Sequence, residues 1–535
     1  MLSIDQNSHS LWDALPKLEA LARAGRSVSH YVEDVDVAFT ALGADQDAHQ
    51  PLRLERERYH HSGGADWGAA MFYTCFLGRQ GVDLRDWEPY TGLKSAALAR
   101  QLGTTLEALY DRYSPSDNWQ LIGPSYAGAG LHRTIADLRL DQTLEFLHRL
   151  MDLAHADLLE RLPEPPCQAR VREWFEAERR RVAGLVGRCD PPTLARLYQL
   201  WLGEYLADRV PIGLSSDLLA PAVDGPAQRL LGLFLRDYDL LSGLYNESIQ
   251  CVRIGLRPLH TDAGELPFFA ALGHNGRCVR TSLFREDGGV RVGEQIIPIT
   301  SDHQLDVDAL RGAGVTSLAG KAVMLVIQLR LGPAGQSLAL PYHGSIYMCA
   351  AYELTRQLRR HNLLSEPLQP VVRVRLGLLD HLRELDTVIR LPPYLAREMG
   401  RDEVPARVLG ESAAEIQAQA QRRLESFTSP QGRHAWQQQA HAPLTHRLAE
   451  LDARRRELAA ADPKDPQLHR IGPEMKAIQT QLLQALVEQI DRDWQLARLD
   501  YYDSRGAILP WCVGLGGRGF YDRLIASARI YDETE

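Results

Sequence analysis

What this 535-residue chain lacks narrows its possible roles. Its seven cysteines form no CxxC pair and are odd in number, which argues against a disulfide framework or a zinc ribbon and predicts free thiols in a reducing compartment. Lysine is scarce. It stands only at Lys17, Lys94, Lys321, Lys464 and Lys476, so a lysine is not surplus surface charge by default. No apolar run reaches 18 residues, so no membrane span is expected. The first 25 residues lack a basic start followed by an apolar stretch, so no signal peptide is expected and a cytoplasmic location is predicted. A net charge of −9 gives no reason to expect a nucleic-acid partner. Walker A, GxGxxG-after-strand, HExxH and GxSxG patterns are all missing, so common nucleotide, metalloprotease and hydrolase signatures do not apply.

What is present is an ordinary globular composition, 45 % hydrophobic and 24 % charged. Leu11, Leu15, Leu18 and Leu21 have helical spacing, and residues 1 to about 50 read as helix. Residues 51–61 alternate like a strand, followed by the turn SGGADWG and the run AAMFYTCFLG, a strand–turn–helix start for an α/β domain. Leu144, Leu147, Met151, Ala154 and Leu158 form one helical stripe. Residues 252–299 switch to period two around the turns HNG and REDGG, which predicts an antiparallel meander. The run AVMLVIQL (322–329) reads as a buried strand, then a loop, a helix through MCAAYELTRQL, and a strand at PVVRVRLGLL. Leu444, Leu448, Leu451 and Leu458, then Ile471, Met475, Ile478, Leu482, Leu486 and Ile490, make two stripes separated by ADPKDP, which predicts an antiparallel helical hairpin. The glycines at 514–519 read as a turn before a short closing helix.

Two loops carry the strongest candidate chemistry. Tyr59–Trp67 contains His60, His61, Ser62, Gly63 and Asp66 at a predicted strand end, where ligands bind in α/β sheets. No third ligand at zinc spacing is identifiable, so no metal is predicted. Leu340–Tyr347 contains Tyr342, His343, Gly344, Ser345 and Tyr347 before a helix, and a histidine there suits proton transfer near neutral pH. Arg373 and Arg375, with Asp380 and His381 just beyond, place charge on a predicted strand and its exit, which is costly unless paired or used. Gly123–Gly130 with His132 and Arg133 reads as an ordered loop.

The meander with its DGG turn, the segment KAVMLVIQLRLGPAGQSLALPYHGSIYMCAAYELTRQL, the strand QPVVRVRLGL, the long helical arm at 412–499 and the closing ILPWCVGLGGRGFYDRLIASA resemble, in order, the cysteine-adding ligase family of bacillithiol biosynthesis. The resemblance implies an α/β fold: a Rossmann-like parallel-sheet core with inserted helical and β-meander segments and a C-terminal coiled-coil hairpin. It divides the chain into an N-terminal Rossmann-like part at 1–250, a meander and second α/β unit at 251–410, the arm at 411–500 and a tail at 501–535. It implies a ligase that joins an amino acid such as cysteine to a small amine-bearing acceptor, with ATP as the activating cofactor. His343 and His60 are then the proton-moving residues, and the other candidates hold substrate. The arm is an expected homodimer contact. A Rossmann-type glycosyltransferase and a non-catalytic assembly protein are the alternatives. The first should show a diphosphate site with a metal or paired basic residues, the second no polar pocket and an exposed apolar stripe on the arm.

Overall fold

The computed structural model describes residues 1–4, 11–36, 77–79, 82–113, 126–128, 131–252, 256–333, 335–345, 347–504 and 508–533. The predicted strand and turn at 51–67 lie outside them, with His60, His61, Ser62, Gly63 and Asp66. Among the described residues no helix is long and apolar enough to cross a membrane.

The fold is mixed α/β around a partly parallel central sheet. Its strands, numbered with the others along the chain, are β1 (Leu2–Ile4), β2 (Ser29–Val32), β5 (Ile212–Leu214), β11 (Leu338–Pro341), β12 (Val371–Arg375) and β15 (Arg529–Glu533). They lie in the order β15-β12-β11-β1-β2-β5, with only β15 antiparallel to its neighbour. The chain runs outward from β1 through β2 to β5. It then returns to the other side of β1 as β11 and β12, so the strand order reverses between β1 and β11.

Side chains of these strands alternate between two cores. Leu338, Leu340 and Val371 face one, and Ala339, Val372 and Val374 face the other. The second core is helical. It takes in the stripe Leu147, Met151, Ala154 and Leu158 of the helix Leu140–Arg161, together with Trp201 and Trp511.

Against the first core lies an antiparallel sheet. It contains β3 (Tyr126–Gly128), β4 (Leu131–Arg133), β6 (Glu265–His274), β7 (Arg277–Glu286), β8 (Gly289–Val292), β9 (Gln295–Pro298) and β10 (Val315–Gly320). The two predicted turns close β6–β7 and β7–β8, with Asn275 and Gly276 at positive φ in the first and Gly288 in the second. That conformation favours glycine and asparagine.

Three local expectations are corrected. The run 322–329 is a helix, Val323–Arg330, not a strand. All eight of its residues are buried, so it has no polar face, and periodicity cannot separate a fully buried helix from a strand. Residues 1–50 are not helical throughout, because β1 and β2 flank the helix Leu11–Arg23. Strands of three and four residues are too short to register in a helical window. In the tail, Gly514 and Gly516 lie inside the helix Ile508–Gly516. A second helix, Arg518–Ala526, leads into β15, which the sequence did not suggest.

The two predicted stripes lie on the helices Ala442–Ala461 and Leu468–Leu496. Leu451 and Leu458 pack on Ile471, Met475, Ile478 and Leu482, and Arg447 reaches across to Glu474 at 2.8 Å. Further along, Leu486, Val487 and Ile490 join a separate core with Trp87, Leu98, Leu424 and Phe427.

Candidate functional site

A cavity of about 340 Å³ opens over the C-terminal ends of the parallel strands, between the central and antiparallel sheets. Glu33 and Asp36 follow β2. Phe269, Arg280 and Ser317 come from β6, β7 and β10, and Lys321 from the step out of β10. Tyr245, Arg257, Ser282 and Tyr347 complete its polar lining. Carboxyl ends of parallel strands near a reversal of strand order are where open α/β sheets bind ligands, because the loops diverge there and leave a crevice.

The floor is acidic. Val32 ends β2, and Glu33, Asp34 and Asp36 follow within four residues. Glu33 is 3 % exposed, and its Oε1 accepts the backbone N–H of Val35 at 3.1 Å and of Asp36 at 3.0 Å. Burial, reinforced by Asp36 and Asp34 and opposed by Ser215 and Arg280, pushes its carboxyl up to about 8. Asp34 is also raised by burial, though Ser216 and Ser215 donate to it.

The roof is basic. Arg280 pairs with Asp36 and lies 3.9 Å from the centre of the Phe269 ring. Lys321 sits over the same ring at 4.9 Å, so one aromatic carries two cations. Lys321 and Arg257 both reach Glu265 Oε1, at 2.5 and 2.7 Å, and the backbone N–H of His260 meets Oε2 at 2.8 Å. Burial alone would raise the Glu265 carboxyl. The His260 N–H, Lys321 and Arg257 outweigh it and hold the group at about 2. Burial lowers the Lys321 ammonium, against the pull of Glu265.

Gly320 sets the height of this wall. A Cβ there would lie 2.5 Å from the Met324 carbonyl carbon and 2.6 Å from the Leu325 nitrogen, both backbone atoms. Gly320→Ala is therefore expected to push the helix Val323–Arg330 away from β10. It should cost about 1–3 kcal/mol, read as a lower urea midpoint.

Of the sequence candidates, Tyr347 lines this cavity. His343, on the same loop, does not; its Nε2 lies 3.1 Å from Asp500 Oδ2. Asp500 also accepts from Gln417 at 2.9 Å. Burial opposes ionisation of Asp500, but His343, Gln417 and Arg375 overcome it and hold the carboxyl below its usual range. Tyr342 is exposed, 5.8 Å from the Tyr531 ring and under the Arg375 guanidinium at 5.3 Å. Arg373 is occupied structurally: it bonds Glu533 at 2.6 Å and the carbonyls of Pro341 and Gly344. The backbone turns at Ser345, at φ 57°. His381 bonds Glu384 and Ser527, and Arg133 pairs with Asp137.

Sequence reasoning missed Glu33, Asp36, Arg257, Phe269, Arg280 and Lys321. The signals were the acidic run VEDVD at a strand end and the rarity of lysine, which already marked Lys321 as unusual. Among the described residues no His, Cys, Asp and Glu group has the arrangement of a metal site. No protein-family model, no curated protein and no solved structure matches this chain.

Proposed function

We propose that this chain is an amino-acid ligase-like enzyme that joins an amino acid such as cysteine to a small amine-bearing acceptor, with the cavity above β2 as its substrate site. The observation that carries this reading is a cavity that presents carboxyl groups and cations to one ligand. Glu33 and Asp36 face it from the floor, and Arg257, Arg280 and Lys321 from the roof and rim. An amino acid carries both charges and meets both sets, and about 340 Å³ is enough for a small zwitterion.

The parallel strands support a Rossmann-like core. Numbered by occurrence within that sheet, they run 3-2-1-4-5, the order of dinucleotide-type sheets. The helices Ala442–Ala461 and Leu468–Leu496, packed through their apolar stripes, support a coiled-coil arm and leave the assembly-protein reading without its expected exposed stripe. Amide formation needs an activated carboxyl. ATP is the activator we assign, and Lys321 and Arg257 are cations that an anionic activated group would meet. His343 is held by Asp500 outside the cavity lining, so no proton-transfer step in the cavity is assigned to it.

A nucleotide-sugar transferase would use the same three cations, so the ligand panel must separate the two readings. Thermal-shift measurements with L-cysteine, the other amino acids, ATP and nucleotide-sugars are expected to raise the melting temperature with an amino acid and with ATP. Arg257→Gln should shrink the amino-acid shift, because Arg257 is half-exposed and its loss leaves the fold intact. Stabilisation by nucleotide-sugars alone would sink the ligase reading, as would no response to any amino acid.

A further inference from the structure

Tyr245 stands on the helix Tyr238–Val252, is 3 % exposed and lines the cavity. Its hydroxyl has no hydrogen-bond partner among the described residues, and neither has that of Tyr347 on the same lining. Burial raises both phenols, so they stay protonated and able to donate. The large majority of buried side-chain hydroxyls are bonded. One that lines a cavity and finds no acceptor in the chain points to an acceptor on what the cavity binds. The charged groups acting on the Tyr245 phenol are Glu265 and Arg257, so it borders the basic wall.

On that wall the charges do not balance. Lys321 and Arg257 both donate to Glu265 Oε1, and the His260 N–H occupies Oε2, so one carboxylate serves two cations. The ammonium has three hydrogens and Glu265 takes one; no other acceptor among the described residues meets it. Glu265 and the Phe269 ring hold the Lys321 ammonium on the wall. Arg280 does not share in this surplus, because Asp36 pairs with it.

We propose that Tyr245, Lys321 and Arg257 form the carboxylate subsite of this cavity, with the Tyr245 hydroxyl donating to one carboxylate oxygen and the two cations supplying the charge. This rests on the functional reading above and adds the residues that recognise the acid end of the ligand. One surplus positive charge matches a carboxylate, which carries one negative charge, whereas a phosphate monoester carries close to two at neutral pH. No covalent bond forms or breaks in this recognition.

Calorimetric titration of the full chain tests this with L-alanine, propionate, which lacks the amine, ethylamine, which lacks the carboxylate, and inorganic phosphate. The three organic probes carry no hydroxyl or thiol that Tyr245 could bond instead. Tyr245→Phe should leave the ligand-free melting temperature unchanged, because the hydroxyl it removes bonds nothing among the described residues. It should weaken L-alanine and propionate by at least about tenfold, the usual loss of a hydrogen bond to a charged group, and leave ethylamine unchanged. Arg257→Gln should weaken the same two ligands and not ethylamine. An unchanged Kd for L-alanine and propionate in Tyr245→Phe would overturn the inference and leave the ligase reading standing. So would an equal loss for ethylamine, or a lower ligand-free melting temperature, since the hydroxyl would then serve the fold. Phosphate that binds more tightly than propionate and loses the same factor would overturn it too, by making the wall a phosphoryl site. Propionate binding that depends on Tyr245, with no amino acid bound, would remove the ligase reading and keep the subsite. Failure of propionate and of every amino acid would remove both.

Discussion

Glu265→Gln is expected to destabilise the protein by about 3–5 kcal/mol, the usual result of leaving one member of a buried charge group without its partner. Glu265 is 1 % exposed and is the only carboxylate bonded to Lys321 among the described residues. The glutamine keeps the shape but removes the charge, and its amide turns either a donor or a weaker acceptor toward the ammonium. Lys321 must then lose its proton or move, and Arg257 loses the same anchor. Urea denaturation at pH 7 should show the full loss. The pH dependence follows from the direction of the shift. The folded carboxyl sits at about 2 against an ordinary 4.5, so its contribution is fully present above about 4.5 and disappears as pH falls toward 2. The gap between wild type and variant should close over that window. Replacing both residues, Glu265→Leu with Lys321→Met, should recover most of the stability, because an apolar pair of similar volume carries no desolvation cost. The double variant should not recover binding, since Lys321 is part of the cavity. Equal stability of wild type and Glu265→Gln at pH 7 would contradict this account.

Trp201→Ala carries the second large effect, about 3–5 kcal/mol, and it lies away from the cavity. Trp201 is fully buried in the helical core, and its Nε1–H donates to Glu178 Oε2 at 2.7 Å. Tyr205 donates to the other oxygen at 2.6 Å, and the Arg181 guanidinium lies over the Tyr205 ring at 4.4 Å. Alanine removes the indole volume and strips a buried carboxylate of one of its donors. Trp201→Phe keeps most of the ring and isolates the donor, with an expected loss of about 1–3 kcal/mol. Burial already raises the Glu178 carboxyl, and the hydrogen bonds from Tyr205 and Trp201 and the charge of Arg181 restrain it. Without Trp201 the carboxyl rises further, so both variants should lose more stability above neutral pH than near pH 5. Denaturation midpoints across that range separate the packing loss, which is flat in pH, from the electrostatic one, which is not.

Repeating or punctuated patterns could be read from the sequence alone. The hairpins of the antiparallel sheet were legible because Asn275, Gly276 and Gly288 stand where the chain must adopt positive φ. The helix Leu140–Arg161 was legible from its stripe, and the helices Ala442–Ala461 and Leu468–Leu496 from two stripes with a proline-containing break. The loop 340–347 was placed correctly before the helix Met348–Arg360, but β11, the strand that leads into it, was read as loop; Tyr347 reaches the cavity and His343 turns to Asp500. The central sheet was not legible in the same way. β1, β2 and β5 are three or four residues long, and the pairings β1–β11 and β2–β5 join distant parts of the chain, such as Leu2 with Leu338 and His30 with Ile212, so neither length nor period marks them. The run at 322–329 was misread because a helix buried on every side and a buried strand have the same composition.

The sequence by itself therefore determined the striped helices, the turns of the antiparallel sheet and the rarity of lysine that sets Lys321 apart. Only the tertiary structure decided which charges meet. Glu33, Arg257, Glu265, Arg280 and Lys321 are scattered along the chain, and a cavity of opposed charges exists only once the end of β2 is brought against β6, β7 and β10. The cost of burying each charge depends on its neighbours in space, and spacing along the chain carries no record of them.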